Sequence, residues 1–228
     1  MKVGSLFSGI GGFDLGLERA GFQIEWQCEN NEFCRGVLRK HWPKVPCHYD
    51  IKTIDWEYIQ RVDLVCGGFP CQPFSSASRG RRTAEDLWPE MFRAVSVLKP
   101  AWFIGENVVG AANLAFPQMA ADLESIGYEV APPLEIPACA VGCDHWRPRY
   151  WFLGYANSNV QSGGTINAEV VKLKRVRPNT GNSRKSNGVS SRVDRRRAIG
   201  NAIVPQIAEA IGGMIMEVEA RRVLKVTE

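Results

Sequence analysis

Val3-Gly4-Ser5-Leu6-Phe7-Ser8-Gly9-Ile10-Gly11-Gly12 reads as a short apolar strand running into a glycine turn. Phe13 to Ala20 then places Phe13, Leu15, Leu17 and Ala20 with helical spacing, and Gly21 stops the helix. The same alternation continues downstream. Gln23-Ile24-Glu25-Trp26-Gln27-Cys28 is a second strand leading to Glu29-Asn30, and Arg61 to Cys66 is a third. A helix with Met91, Val95 and Leu98 on one side ends at Pro100, and the strand Ala101-Trp102-Phe103-Ile104-Gly105 runs into Glu106-Asn107. A helix over 116–126 stops at Gly127, and Tyr128-Glu129-Val130 starts another strand. Strands alternating with helices predict an α/β fold built on a doubly wound, mostly parallel sheet.

In such sheets ligands bind beyond the carboxyl ends of the strands. Gly9, Gly11 and Gly12 would let a ligand approach the first turn closely. Glu29 follows at the end of the second strand, where an acidic residue commonly holds ribose hydroxyls. The glycines do not spell the dinucleotide pattern G-x-G-x-x-G, but with the downstream acid they point to an adenosine-containing cofactor. A tight turn beside a surface glutamate is the alternative the residues leave open. At the end of the third strand, Gly67-Gly68-Phe69-Pro70-Cys71-Gln72-Pro73 sets one cysteine between two prolines. Proline fixes φ, so the thiol sits on a stiffened loop that suits a nucleophile. A buried structural cysteine fits the same segment, since free Cys is among the most buried residue types.

The bulk numbers bound the answer. At 228 residues and 45% hydrophobic, the chain can bury one good core and carry a small insert. Seven cysteines in no pairing pattern, an opening Met1-Lys2-Val3, and no apolar run near the roughly 18 residues of a spanning helix predict a soluble cytoplasmic protein with no membrane partner. Neither Cys139, Cys143 and His145 nor Cys47, His48 and His41 has paired zinc-site spacing, so no metal is expected. Of 28 basic and 24 acidic side chains, ten and one fall within 172–197, which leaves 18 and 23, or net −5, elsewhere. That local patch is either a solvated basic stretch or a phosphate-binding one.

Taken in order, these residues resemble the cytosine carbon-5 DNA methyltransferases over 3–156 and about 192–215. Leu6-Phe7-Ser8-Gly9-Ile10-Gly11-Gly12 resembles the first motif of that family, which binds S-adenosylmethionine. The resemblance implies a Rossmann-like methyltransferase sheet. It implies a cofactor site of Phe7, Gly9, Gly11, Gly12, Glu29, Asn30, Asp50, Ile51, Gly68 and Leu87, completed by Asn201 and Ala202 from the closing motif. Pro70-Cys71-Gln72 is similar to the catalytic loop, and Glu106-Asn107-Val108 to the Glu-Asn-Val motif. Arg147-Pro148-Arg149 resembles the later Gln-x-Arg-x-Arg element, with His145 in place of its glutamine.

By the same resemblance, Cys71 adds to carbon 6 of cytosine, Glu106 serves ring nitrogen 3, and Arg149, supported by Arg147, steadies the carbonyl oxygen. Carbon 5 then takes the methyl group, and Cys71 leaves by elimination. Stacked duplex covers these ring atoms, so the cytosine must be flipped out of double-stranded DNA. Gln72, Ser75, Arg79, Arg81 and Arg82 are expected to contact DNA from a flap beside the cysteine, and Lys172, Lys174, Arg175 and Arg177 from the basic run.

The expected organisation is a catalytic domain over 1–156, a short recognition remnant over 157–191, and a segment over 192–228 that returns to the catalytic domain. The remnant has too few large apolar residues for a core of its own. It fits phosphate binding alone, a very short recognition site, or the trace of a deletion. A cognate restriction endonuclease is the expected partner in the host, and a monomer the expected state. A catalytically silent DNA-binding relative, an RNA methyltransferase, and a cysteine hydrolase served by His41, His48 or His145 are the rival readings.

Overall fold

The computed structural model describes residues 1–70, 85–156, 198 and 200–226. Among them, five strands come first: β1 (Lys2–Leu6), β2 (Gln23–Cys28), β3 (Cys47–His48), β4 (Leu64–Gly67) and β5 (Trp102–Val108). Three more follow: β6 (Tyr128–Val130), β7 (Leu134–Pro137) and β8 (Pro148–Ala156). They form one sheet in the order β3-β2-β1-β4-β5-β8-β6, with β7 also on β8. Neighbours from β3 to β5 are parallel, whereas β8 is antiparallel to β5, β6 and β7. Seven strands therefore share one direction and β8 alone opposes them, which agrees with a mostly parallel sheet.

Both faces of this sheet are covered, which is why its central strands are continuous apolar runs rather than alternating ones. In β4, Leu64 and Cys66 join one core layer while Val65 between them joins the other. Trp102-Phe103-Ile104 and Trp151-Phe152-Leu153 divide in the same way. One layer is closed by α1 (Gly12–Arg19) and α5 (Pro205–Val226), with Phe13, Leu17, Ile207, Ile211 and Ile215 all at most 1% exposed. The other is closed by α3 (Trp88–Leu98) and α4 (Val109–Ser125), through Met91, Val95, Met119 and Leu123. A further helix, α2 (Glu32–His41), starts at Asn31, whose side chain accepts from the Cys34 N–H at 3.1 Å.

Glycine lets α1 and α5 meet backbone to backbone. A Cβ at Gly16 would stand 2.3 Å from the Pro205 carbonyl oxygen and 2.7 Å from the Ala208 Cβ. Next to this contact, the buried Asp14 carboxylate accepts from Ser5 Oγ at 3.1 Å and Gln27 Nε2 at 2.7 Å, pinning the first turn of α1 to β1 and β2. Burial pushes its carboxyl up to about 6.

The structure moves several expected boundaries. The strand expected to end at Gly105 continues to Val108, so Glu106 and Asn107 lie inside β5 and are fixed by its ladder with Trp151 and Tyr150 of β8. The helix expected over 116–126 begins at Val109 and carries Pro117 inside it. The third strand is shortened to Leu64–Gly67. No helix of the described residues is long and apolar enough to cross a membrane.

Gly16→Ala forces the new methyl group against backbone that cannot rotate away, so it lowers stability by about 1–3 kcal/mol, read as a fall in melting temperature of several degrees. Gly36→Ala, in α2 with nothing within 4 Å of the new methyl, raises stability by about 0.5–1 kcal/mol in the same calorimetric scan.

Candidate active site

The chemistry-bearing residues gather at the carboxyl edge of the parallel strands, in two adjoining places. The first is a cleft lined by Phe7, Glu29, Asn30, Asp50, Ile51 and Leu87, six of the residues expected from the sequence. Phe7 follows β1 with φ 51°, a left-handed conformation that is uncommon for non-glycine residues. Glu29, 9% exposed at the end of β2, accepts from the Gly9 N–H and the Asn31 N–H, both at 2.8 Å. A carboxylate has about four acceptor positions, so Glu29 keeps capacity for hydroxyl donors. Asp50 caps the short 3₁₀ turn Ile51–Thr53 by accepting from the Lys52 N–H at 3.0 Å. Apolar Phe7, Ile51 and Leu87 beside acceptors on Glu29 and Asp50 fit a flat heterocycle carrying a sugar.

The glycines of the first turn divide in use. Gly9 leaves open space where a side chain would be, its nearest neighbour being the Phe7 carbonyl oxygen at 3.9 Å. At Gly11 and Gly12 that space is filled by protein: a Cβ would meet the Trp42 ring at 2.4 Å and the Ile203 carbonyl oxygen at 2.5 Å. The close approach expected of a ligand there is made by the chain itself.

The second place is built around Glu106. Its carboxyl group is buried on β5, with Arg149 Nε 3.1 Å from Oε1. A Cβ at Gly68 would lie 2.9 Å from Glu106 Oε2 and 3.1 Å from Ile203 Cδ1, so only glycine leaves room for this carboxyl. Burial raises its pKa to about 7, against the opposing pull of Arg149 first and Arg147 second. Arg147, with φ 33°, donates to the carbonyls of Gly200 and of Ala202, the latter at 2.9 Å. Asn107 Nδ2 donates to the Phe69 carbonyl at 3.3 Å, and its Oδ1 accepts from the Val108 N–H at 2.8 Å. The chain is thereby anchored two residues before Cys71. A carboxylic acid that exchanges its proton near neutrality beside a guanidinium can give a proton to a ring nitrogen and hold a neighbouring carbonyl oxygen.

The structure thus brings Glu106, Arg147, Arg149 and Gly68 together and lines the cleft with the six residues named above. Ala202, expected at the cofactor, is engaged through its carbonyl by Arg147, and Asn201 is exposed. Cys71, Gln72, Ser75, Arg79, Arg81, Arg82, Lys172, Lys174, Arg175 and Arg177 lie outside the described residues. Sequence reasoning missed Tyr49, which lines the cleft with the Arg35 guanidinium 4.3 Å from its ring centroid, and the Lys52–Glu85 ion pair across the same cleft. The run Tyr49-Asp50-Ile51 held the only signal for the first. A larger hollow of about 450 Å3 lies against Gln23–Trp26, toward the other end of β2, and shares none of these groups. Among the described residues no group of three or more His, Cys, Asp or Glu side chains could hold a metal ion.

A family model described as C-5 cytosine-specific DNA methylase matches residues 1–190. Type II methyltransferase M.PspPI of Psychrobacter sp. (strain TA137) is 41% identical over 114 residues, covering 47% of this chain and 27% of that protein. Type II methyltransferase M.FnuDI of Fusobacterium nucleatum is 33% identical over 162 residues, covering 68% of this chain and 47% of that protein. A solved chain from an E. coli prophage, assigned as a DNA modification methyltransferase, is 28% identical with a TM-score of 0.59, covering 69% of this chain and 47% of that one. The chain spans between about a quarter and a half of the length of these three relatives.

Arg149→Met removes the largest influence that holds the Glu106 carboxyl down, so its pKa rises further above about 7. Infrared titration of the protonated carboxyl band, taken as the difference from Glu106→Gln, reads that rise. A band that titrates unchanged refutes the electrostatic account.

Proposed function

Since this chain belongs to the C-5 cytosine-specific DNA methylase family, we propose that it transfers a methyl group from S-adenosylmethionine to carbon 5 of a cytosine extruded from duplex DNA. The single observation that carries this reading is the Glu106 carboxyl, buried between Gly68 and Arg149 and poised to exchange a proton near neutral pH. The cleft lined by Phe7, Glu29, Asn30, Asp50, Ile51 and Leu87 is the cofactor site, with Glu29 accepting from the ribose and Phe7 and Ile51 flanking the adenine. When bound, the cofactor supplies an electrophilic methyl group on a sulfonium sulfur.

The remaining chemistry belongs to the protein. The Cys71 thiolate bonds to carbon 6 and pushes the ring electrons toward nitrogen 3. Glu106 donates its proton to that nitrogen as charge builds there, leaving carbon 5 nucleophilic, while Arg149 holds the carbonyl oxygen. After methylation a base removes the carbon 5 proton, the carbon–sulfur bond breaks to return the Cys71 thiolate, and the nitrogen 3 proton returns to Glu106. Asn107 keeps the strand leading to Cys71 in place through the Phe69 carbonyl. Gln72, Ser75, Arg79, Arg81 and Arg82, and Lys172, Lys174, Arg175 and Arg177 beyond them, supply the DNA contacts. The enzyme acts as a cytoplasmic monomer, and the Type II names of its relatives favour a cognate restriction endonuclease as its partner in the host.

Transfer of a tritiated methyl group tests the reading, with duplex DNA and transfer RNA as parallel substrates. Label in DNA alone supports it, label in transfer RNA alone replaces the substrate, and cofactor binding without label in either leaves a silent DNA-binding relative. Cys71→Ser abolishes methyl transfer and leaves cofactor affinity unchanged by calorimetry. Full turnover by that variant would refute the covalent route.

The proton-donating form of Glu106 is populated below about pH 7 and lost as pH rises through that value. The turnover number accordingly declines on the alkaline side of about 7. Glu106→Gln, which can donate a hydrogen bond but not a proton, turns over roughly 10²–10⁴-fold more slowly and lacks that alkaline decline.

A further inference from the structure

Trp146 is out of place by the rule the other tryptophans obey. The chain has seven. Trp26, Trp56, Trp88, Trp102 and Trp151 are at most 5% exposed and Trp42 is half-buried, whereas Trp146 is 61% exposed. A large apolar ring left in water forgoes its burial, and tryptophan, with one apolar body and one polar N–H, is enriched at interfaces.

Its backbone is indeed fixed. The Ala138 N–H donates to the Trp146 carbonyl at 2.9 Å, and the next residue, Arg147, holds its left-handed φ of 33° while its guanidinium ties to Gly200 and Ala202. Strain of that kind persists where the surroundings over-determine it, and such places cluster at functional sites. The ring stands at the carboxyl edge of the sheet, one and three residues before the two arginines of the Glu106 site and two before the start of β8. An exposed aromatic ring next in sequence to the arginines that serve Glu106 matches a ligand that offers flat faces of its own.

We propose that Trp146 is a nucleic-acid contact whose ring stacks on a base face laid bare at the step from which the cytosine leaves. The inference rests on the function proposed above, because extrusion of a base exposes neighbouring base faces that a duplex otherwise hides. Stacking of this kind tolerates any sequence, since every base has a π face. It gives the enzyme a hold on DNA that depends on neither phosphate charge nor base-edge hydrogen bonds. Trp146 is here a positioning residue that keeps the distorted strand in register with Arg149.

Because Trp146 is the one exposed tryptophan among the described residues, acrylamide quenching of the full-length protein isolates it, and Trp146→Phe identifies its share of the emission. Saturating sheared genomic duplex DNA shields that share from the quencher. Trp146→Ala weakens binding of the same DNA roughly tenfold, as loss of one stacked base does. Trp146→Phe loses less, and cofactor affinity is unchanged in both. The weakening is the same factor at every salt concentration, with an unaltered dependence of affinity on salt, because no phosphate contact is removed. Emission that stays quenchable in saturating DNA, or equal DNA affinity for Trp146→Ala and wild type, overturns the inference while leaving the methyltransferase reading intact. Shielding that grows with protein concentration in the absence of DNA assigns the ring to contact between copies of the chain and overturns it too. A wild-type protein that binds no DNA defeats both proposals. If Trp146→Ala does not fold, the DNA-dependent shielding in the wild type and its absence in Trp146→Phe decide the matter.

Discussion

Ile203 is packed where two glycines leave room for nothing else. Its backbone fills the space above Gly12 at the start of α1, and its side chain reaches the space above Gly68 at the exit of β4. Just before it, the carbonyls of Gly200 and Ala202 receive the Arg147 guanidinium, and just after it Pro205 closes on Gly16. One short segment therefore touches the turn after β1, the loop after β4 and the approach to β8. These three stretches come from distant parts of the sequence, and each carries a different portion of the site. That contact adds to the ladders of the sheet in fixing the cleft and the carboxyl relative to each other.

The electrostatics at Glu106 follow from the same packing. A carboxylate 3.1 Å from a guanidinium would ordinarily be held below the usual glutamate range. Here burial wins: the carboxyl lies inside the protein against Gly68, and it rises to about 7 instead. The arginine then moderates the shift and offers its hydrogen bonds. Placed inside β5 and buried, the acid keeps a proton available.

How much of this was legible in the sequence can be judged residue by residue. The run Trp102-Phe103-Ile104-Gly105 announced a buried strand, and with it the position of Glu106 at the functional edge. Glu29 was legible in the same way from Gln23–Cys28. Local pattern reaches no further than its own window, however. Nothing around Gly12 or Gly68 says that Ile203 lies over them, so the turn that holds Gly12 reads as a cradle for a ligand when the space at Gly12 is filled by the chain. The reversal of β8 was equally hidden, because an apolar run such as Tyr150-Trp151-Phe152-Leu153 has the same periodicity in either direction. α2 escaped notice because it buries only Cys34 and Leu38 and is polar elsewhere. The 22-residue α5 is expected from the sequence only as a returning segment, although Ile207, Ile211 and Ile215 recur every fourth residue.

The long reach of Ile203 also orders events in time. Ribosomes elongate at about 5–20 residues per second, so this isoleucine follows Gly12 by roughly 10–40 s of synthesis. β1, β2, β4 and β5 have emerged well before then, and their parallel pairings already close long loops, which is slow. Throughout that interval the faces of Gly12, Gly16 and Gly68 await their covering. The strands of the sheet are thus made well before the segment that covers Gly12, Gly16 and Gly68.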